Sequence, residues 1–182
     1  LGRTKNGKKD GHFTSWQENG NVYKDEDWLY GSKVGCHITY HSNGQIKQEK
    51  SFLFFKKNGL EMQWHANGKV KDSIEREKGQ VIYRKSWYKS GEVSREIRYS
   101  MNPNKQLVFD RAWDTKGQLY DEMVLLPNFK IRERQWRRGH LYRESYYLNN
   151  QKVGVHREWH DNSDRLKSEI NYKNGLKHGV EK

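Results

Sequence analysis

Seven aromatic residues recur along the chain at a nearly constant spacing of 23 to 26 residues: Trp16, Tyr40, Trp64, Trp87, Trp113, Trp136 and Trp159. We call this series the ring column; it contains six of the seven tryptophans, and only Trp28 lies outside it. A period of this length indicates one supersecondary unit that is copied and stacked. Because repeat arrays mostly present extended surfaces for binding, the pattern also disfavours an enzyme.

The best-formed repeat covers residues 59–79. Met62 and Trp64 are separated by a polar residue, which is the alternation of a β-strand. The turn that follows contains Asn67–Gly68, two residues that tolerate a positive φ. The alternation then restarts at Val70. Each repeat is therefore predicted to be a β-hairpin followed by a connection.

The composition agrees with a thin, all-β protein. Hydrophobic residues and charged residues each make up 32% of the chain, which is too polar for a deep two-layer core, while 13% aromatic residues argue against disorder. We predict an elongated, single-layer antiparallel sheet of about seven stacked hairpins. It forms a single repeat domain over residues 1–182, with repeats at about 7–34, 35–58, 59–78, 79–104, 105–127, 128–152 and 153–182.

Two segments carry a resemblance to a known family. KNGKKDGHFTSWQENGNV (residues 5–22) and EINYKNGLKHG (residues 169–179) resemble the variant MORN repeat of bacterial proteins, a family often described as YwqK-like antitoxins. The resemblance covers nearly the whole chain. It implies stacked hairpins and a non-enzymatic antitoxin or immunity protein, which binds and neutralises a cognate toxin or secreted effector.

A basic column precedes the ring column in the later repeats. Two residues before the ring, and on the same face of the strand, stand Lys85, Arg111, Arg134 and Arg157. The first three repeats carry neutral residues at this position: Thr14, Ile38 and Met62. The basic residues either support the rings through cation–π contacts or form a docking strip for an acidic partner. Such a strip is strengthened by Lys130, Arg132 and Arg138.

An acidic column runs along the second strand of six repeats: Asp25, Glu49, Glu96, Glu122, Glu144 and Glu169. Such regularity indicates pairing with lysines of adjacent strands rather than catalysis, which needs two carboxylates facing each other at roughly 5–9 Å. We find no nucleophile elbow, phosphate loop or zinc spacing, so we predict no catalytic residue, metal or cofactor. The single cysteine, Cys36, is expected to pack as a small hydrophobe.

Irregular segments interrupt the repeat and are the better functional clues. The run Phe52–Phe55 places apolar side chains on both faces of one predicted strand, so that one of them is exposed in a single-layer sheet. An exposed apolar patch often marks a partner site, and we include Phe54 and Phe55 among the predicted partner-binding residues. Met101–Lys105 and Val124–Phe129 are the other irregular segments.

The formal net charge of +12 favours acidic partners, which are an acidic protein, an anionic membrane or nucleic acid. We favour a toxin or effector protein, bound by a monomer to give a heterodimer. The alternative is a scaffold on a membrane surface of anionic phospholipid. Nucleic acid is disfavoured because the acidic column runs through every region. Since the chain starts at Leu1 rather than Met, we expect a removed leader and a periplasmic rather than cytoplasmic location in a bacterium.

Overall fold

The computed structural model describes residues 3–101 and 105–179, where all elements except one short 3-10 turn are β-strands. Every strand pairing within these residues is antiparallel, and consecutive strands form hairpins. The predicted all-β sheet of stacked hairpin repeats is therefore confirmed. No helix in the described residues is long and apolar enough to cross a membrane.

The chain divides into two compact units, the first ending at Glu92 and the second beginning at Val93. The strands described in the first unit are β1 Arg3–Lys5, β2 Lys8–Trp16, β3 Val22–Leu29, β4 Ser32–Tyr40, β5 Ile46–Leu53, β6 Lys56–Lys57, β7 Gly59–Trp64, β8 Val70–Glu77 and β9 Gln80–Trp87. Those described in the second unit are β10 Val93–Tyr99, β11 Leu107–Trp113, β12 Leu119–Leu125, β13 Ile131–Arg137, β14 His140–Leu148, β15 Gln151–Lys152, β16 Gly154–Trp159, β17 Leu166–Lys173 and β18 Leu176–Lys177.

The single 3-10 turn, Pro127–Phe129, precedes β13. It lies in one of the segments that the sequence marked as irregular. The predicted repeat boundaries remain a prediction. The fourth and seventh predicted repeats include residues 102–104 and 180–182, which lie outside the described residues.

Two kinds of turn join the strands, and each kind lies at its own end of the strands. The turn after a ring places a glycine in the left-handed region, as at Gly20 and Gly44 with φ of 84° and 83°. The other end has two-residue turns with both central residues left-handed, such as Asn6–Gly7 and Asn174–Gly175. This is the type I′ geometry, whose twist matches the flanking strands. A shift of register next to the ring, for example between Ser15 and Trp16, marks a β-bulge.

The two faces of the sheet differ in burial. One face, which we call the ring face, carries the ring column, and the opposite face carries most of the buried side chains. Only Ile74 and Ala112 are buried hydrophobic residues in the described part of the chain, whereas His37 and Asp72 are fully buried. A polar core requires polar partners. Asp72 meets this requirement because it accepts hydrogen bonds from Arg84.

Side chains in the ring turns of the first unit join successive repeats. His41 Nε2 lies 2.9 Å from the backbone carbonyl of Trp64, and His65 Nε2 lies 3.2 Å from that of Trp87. Because a carbonyl can only accept, each Nε2 donates. Asn43 likewise donates to the carbonyl of Ala66 at 2.9 Å. These histidines therefore satisfy backbone groups between repeats, which is a structural role.

Candidate binding surfaces

A row of alternating glutamates and arginines crosses the ring face of the second unit. Residues directly opposite each other on neighbouring strands give the order Glu96, Arg111, Glu122, Arg134, Glu144, Arg157 and Glu169. We call this row the ionic ladder. The basic and acidic columns that the sequence shows separately are thus interleaved on one face.

Short ion pairs connect neighbouring residues of the ionic ladder. The arginine Nε atoms donate to glutamate oxygens, Arg111 to Glu122 at 2.9 Å, Arg134 to Glu144 at 2.6 Å and Arg157 to Glu169 at 2.9 Å. Glu122 and Glu144 are only 8% and 5% exposed, so their charges need these partners. Each opposite-charge pair across strands contributes roughly 0.2–1 kcal/mol. The ladder therefore stabilises the second unit.

The basic residues predicted for partner binding differ in the contacts that they make. Arg132 also binds Glu122, at 3.2 Å, so four of the predicted arginines lie in ion pairs with the acidic column. The expected pairing of that column with lysines is corrected for the second unit, because arginines occupy the opposing positions there. Lys85 lies 5.8 Å from the ring of Trp87, as expected for cation–π support. Lys130 and Arg138 are exposed and make no ion pair within the described residues.

The corresponding row of the first unit is mostly neutral: Thr14, Asp25, Ile38, Glu49, Met62, Ser73 and Lys85. Its acids meet hydroxyl and thiol donors. Asp25 accepts from Thr14 at 2.7 Å and from Tyr40 at 3.1 Å, and His12 Nε2 lies 3.5 Å away. Burial, followed by the hydrogen bond to Asp25, raises the pKa of Tyr40. The phenol therefore stays protonated and donates.

Cys36 corrects one expectation. It is exposed rather than packed as a small hydrophobe, and its thiol donates to Glu49 at 3.5 Å. Partial desolvation of the sulfur, and then the Glu49 carboxylate, raise the pKa of Cys36. Because the thiolate is the reactive form, this environment disfavours a nucleophilic role.

An open depression of about 540 Å³ lies on the ring face of the first unit. We call it the aromatic depression; it is lined by Trp16, Gln17, Tyr23, Tyr40, His41, Ser42 and Lys47. Trp16 is 57% exposed and Tyr23 is 44% exposed. Sequence reasoning missed these two residues as site residues. The signal was present, because Thr14 replaces the long basic side chain that precedes the ring in later repeats.

The Phe54–Phe55 segment is a turn and not part of a strand, which corrects the sequence prediction. β5 ends at Leu53, and the two phenylalanines occupy the central turn positions with φ of 47° and 64°. Phe54 is 84% exposed and Phe55 is 57% exposed. A left-handed conformation costs a residue with a Cβ roughly 1–2 kcal/mol. The turn is therefore strained and apolar at the same time.

Two buried histidines occupy equivalent positions, three residues before the ring of their repeats. The rings beside His37 are Trp28 and Phe52, and those beside His156 are Tyr147 and Tyr172. Each Nε2 donates to a backbone carbonyl. Burial lowers the pKa of His156, which favours the neutral ring. Within the described residues, no group of three or more potential ligands could hold a metal ion.

Comparisons with known proteins identify one repeat. A family model described as "MORN repeat variant" matches residues 33–53, which form the β4–β5 hairpin around Tyr40. No curated protein matches the chain. Residues 33–53 are therefore a MORN repeat variant, and this repeat suggests a protein that binds other proteins or membranes.

Proposed function

We propose that the protein is a non-enzymatic binding module that neutralises a cognate bacterial toxin or effector, as an antitoxin or immunity protein. The observation that supports this most is the aromatic depression, where Trp16 and Tyr23 are exposed beside Tyr40. Tyrosine and tryptophan are enriched among the few residues that contribute most to binding at protein interfaces. Exposed rings of this kind are a suitable anchor for a partner protein.

The shape of the depression supports a protein partner over a small substrate. Small-molecule sites are concave and cover most of the ligand surface, whereas this depression is open. Gln17, His41, Ser42 and Lys47 supply polar groups around the rings. A polar rim around apolar anchors is the usual composition of a protein interface.

Charge supplies the second part of the proposal. The net charge of +12 favours an acidic toxin surface and accelerates association with it. In the ionic ladder, Arg111, Arg134 and Arg157 already have acidic partners. Lys47, at the edge of the aromatic depression, supplies a positive charge beside the rings that can meet an incoming carboxylate. The partner-binding role of Lys130 and Arg138 in the second unit stays a prediction. We propose that the encounter takes place in the periplasm.

Calorimetry with the product of the adjacent gene tests the proposed function. We expect 1:1 binding by the wild-type protein. The double variant Trp16→Ala/Tyr23→Ala should bind at least about 30-fold more weakly, since loss of one interface hot spot costs about 2 kcal/mol or more. Tyr120→Ala is the matched control, because Tyr120 is also an exposed aromatic residue, at 46%, but lies in the second unit. It should bind like the wild type.

Other outcomes assign the surface differently. If only the triple variant Arg111→Gln/Arg134→Gln/Arg157→Gln binds more weakly, the basic column and not the aromatic depression is the binding surface. Absence of wild-type binding would contradict the proposed function. Vesicles of phosphatidylcholine and phosphatidylserine at a ratio of about 3:1 are then the next titrant, and binding to them that salt abolishes supports the membrane-scaffold alternative.

A further inference from the structure

The Phe54–Phe55 turn differs from the other two-residue turns of the described residues. Each of the others has asparagine or glycine in at least one left-handed position: Asn6–Gly7, Tyr30–Gly31, Lys78–Gly79, Arg138–Gly139, Asn149–Asn150 and Asn174–Gly175. Phenylalanine occupies both positions here, and Phe54 is the most exposed large hydrophobic residue described. Strained backbone and an exposed ring both oppose stability, and strain of this kind is concentrated at functional sites.

The backbone that carries the two rings has a defined conformation. Both central φ values are fixed in the left-handed region, and the turn is held between β5 and β6, where Phe52 pairs with Lys57 and Leu53 with Lys56. A pocket on a protein recognises a fixed shape. A lipid bilayer accepts an aromatic side chain from any flexible loop, without requiring left-handed phenylalanines. The geometry therefore favours a protein pocket.

Lysines surround the base of the turn. Lys56 and Lys57 follow it directly, and Lys33 Nζ lies 6.0 Å from the ring of Phe52. Burial, and then repulsion by Lys57 and Lys33, lower the pKa of Lys50. These groups therefore repel one another, although Glu26 and Glu61 partly neutralise Lys33 and Lys57. A carboxylate brought close to them would relieve this repulsion.

We propose that the Phe54–Phe55 turn inserts into an apolar pocket with an acidic rim on the partner protein. The apolar pocket accepts the two rings, and the acidic rim meets Lys56 and Lys57, which follow the turn directly. This inference rests on the proposed function, because the pocket belongs to the toxin or effector. It adds a contact separate from the aromatic depression, since the turn lies at the opposite end of the strands from the ring turns.

The test replaces the turn with one that this protein already uses. Phe54→Asn/Phe55→Gly installs the sequence of the Asn6–Gly7 and Asn174–Gly175 turns, so we expect the variant to fold and to have a higher Tm. Calorimetry with the adjacent gene product should show binding at least about 30-fold weaker, as expected for loss of a buried aromatic anchor. Tyr30→Asn is the matched control, because Tyr30 is 59% exposed in the neighbouring turn. It should change the Kd less than about threefold.

The outcomes separate this inference from the proposed function. If the wild type and Phe54→Asn/Phe55→Gly bind the gene product equally well, the pocket contact is wrong and the proposed function stands. If the wild type does not bind the gene product, the pocket contact and the proposed function are both wrong. If the variant binds the gene product normally but no longer binds vesicles of about 3:1 phosphatidylcholine to phosphatidylserine, the turn is a membrane anchor instead.

Discussion

The ring faces of the two units have the same backbone pattern, but the row of side chains beside the rings is charged in the second unit and mostly neutral in the first. In the second unit the row beside the rings is the ionic ladder, in which glutamates and arginines alternate. In the first unit the same row holds Thr14, Ile38 and Met62 between its acids, and Trp16 is 57% exposed. Long arginine stems can cover apolar surface. Tyr40 and Trp64 are half-buried like the rings of the second unit, so the open ring is that of the first repeat, where the short Thr14 stands two positions before it.

The largest expected effect comes from breaking the ladder at its most buried carboxylate. In Glu144→Gln, Arg134 loses its charged partner at 2.6 Å, and Arg157 loses a second carboxylate at 3.6 Å while it keeps Glu169 at 2.9 Å. We expect the free energy of unfolding to fall by about 2 kcal/mol, less than for a fully buried pair because the arginines are partly exposed. Urea denaturation measures this. The matched change in the first unit, Glu49→Gln, loses a contact with a thiol and should cost less than about 1 kcal/mol. Equal losses would contradict the distinction between the two rows.

Exchanging turn sequences between the units should change the free energy of unfolding by less than Glu144→Gln does, and replacing the phenylalanine turn should raise it. Phe54→Asn/Phe55→Gly relieves two left-handed residues and should raise the free energy of unfolding by roughly 1–2 kcal/mol. The reciprocal change, Asn174→Phe/Gly175→Phe, should lower it by a similar amount. Urea denaturation of both variants provides the comparison. Destabilisation by the first change would show that the phenylalanines are not strained.

Acid should weaken the second unit through the buried His156. Burial lowers the pKa of His156 from 6.5, so below pH 6.5 the unfolded state takes up a proton that the folded state refuses. Stability therefore falls as the pH drops from 6.5 towards the lowered value. Burial of Glu61 is outweighed by Arg76 and Lys57, which lower its pKa from 4.5, so its contribution persists at and above pH 4.5.

Thermal unfolding between pH 7 and pH 5 checks this prediction. The Tm of the wild type should fall over this range, and the decrease should be smaller in His156→Gln, where the glutamine amide can still donate to the carbonyl of Tyr146. An identical pH dependence in the two proteins would assign the acid sensitivity to other groups.

The smallest expected effect on stability is that of Trp16→Ala. Because its side chain is exposed, the change in the free energy of unfolding should stay within about 0.5 kcal/mol. Trp136→Ala in the second unit removes a half-buried ring and should cost about 1–2 kcal/mol. Urea denaturation of the two variants gives the comparison. A large loss in Trp16→Ala would mean that the aromatic depression is structural.

The period of the ring column was sufficient to predict the all-β sheet of hairpin repeats. It could not predict that the basic and acidic columns interleave. Which residues stand opposite each other depends on the cross-strand register, and the β-bulges beside Trp113, Trp136 and Trp159 shift that register. The Phe54–Phe55 turn was missed for another physical reason. A two-residue turn is recognised by asparagine or glycine, and a run of phenylalanines has the apolar pattern of a strand.

Hydrogen exchange of the protein, free and bound to the adjacent gene product, tests the central claim most directly. That claim assigns partner binding to the first unit and stabilisation to the ionic ladder of the second. We predict that binding slows exchange in residues 16–23, 40–47 and 53–57, and leaves exchange over β12 to β16 unchanged. Slower exchange confined to β12–β16 would contradict the claim and would make the ladder the binding surface.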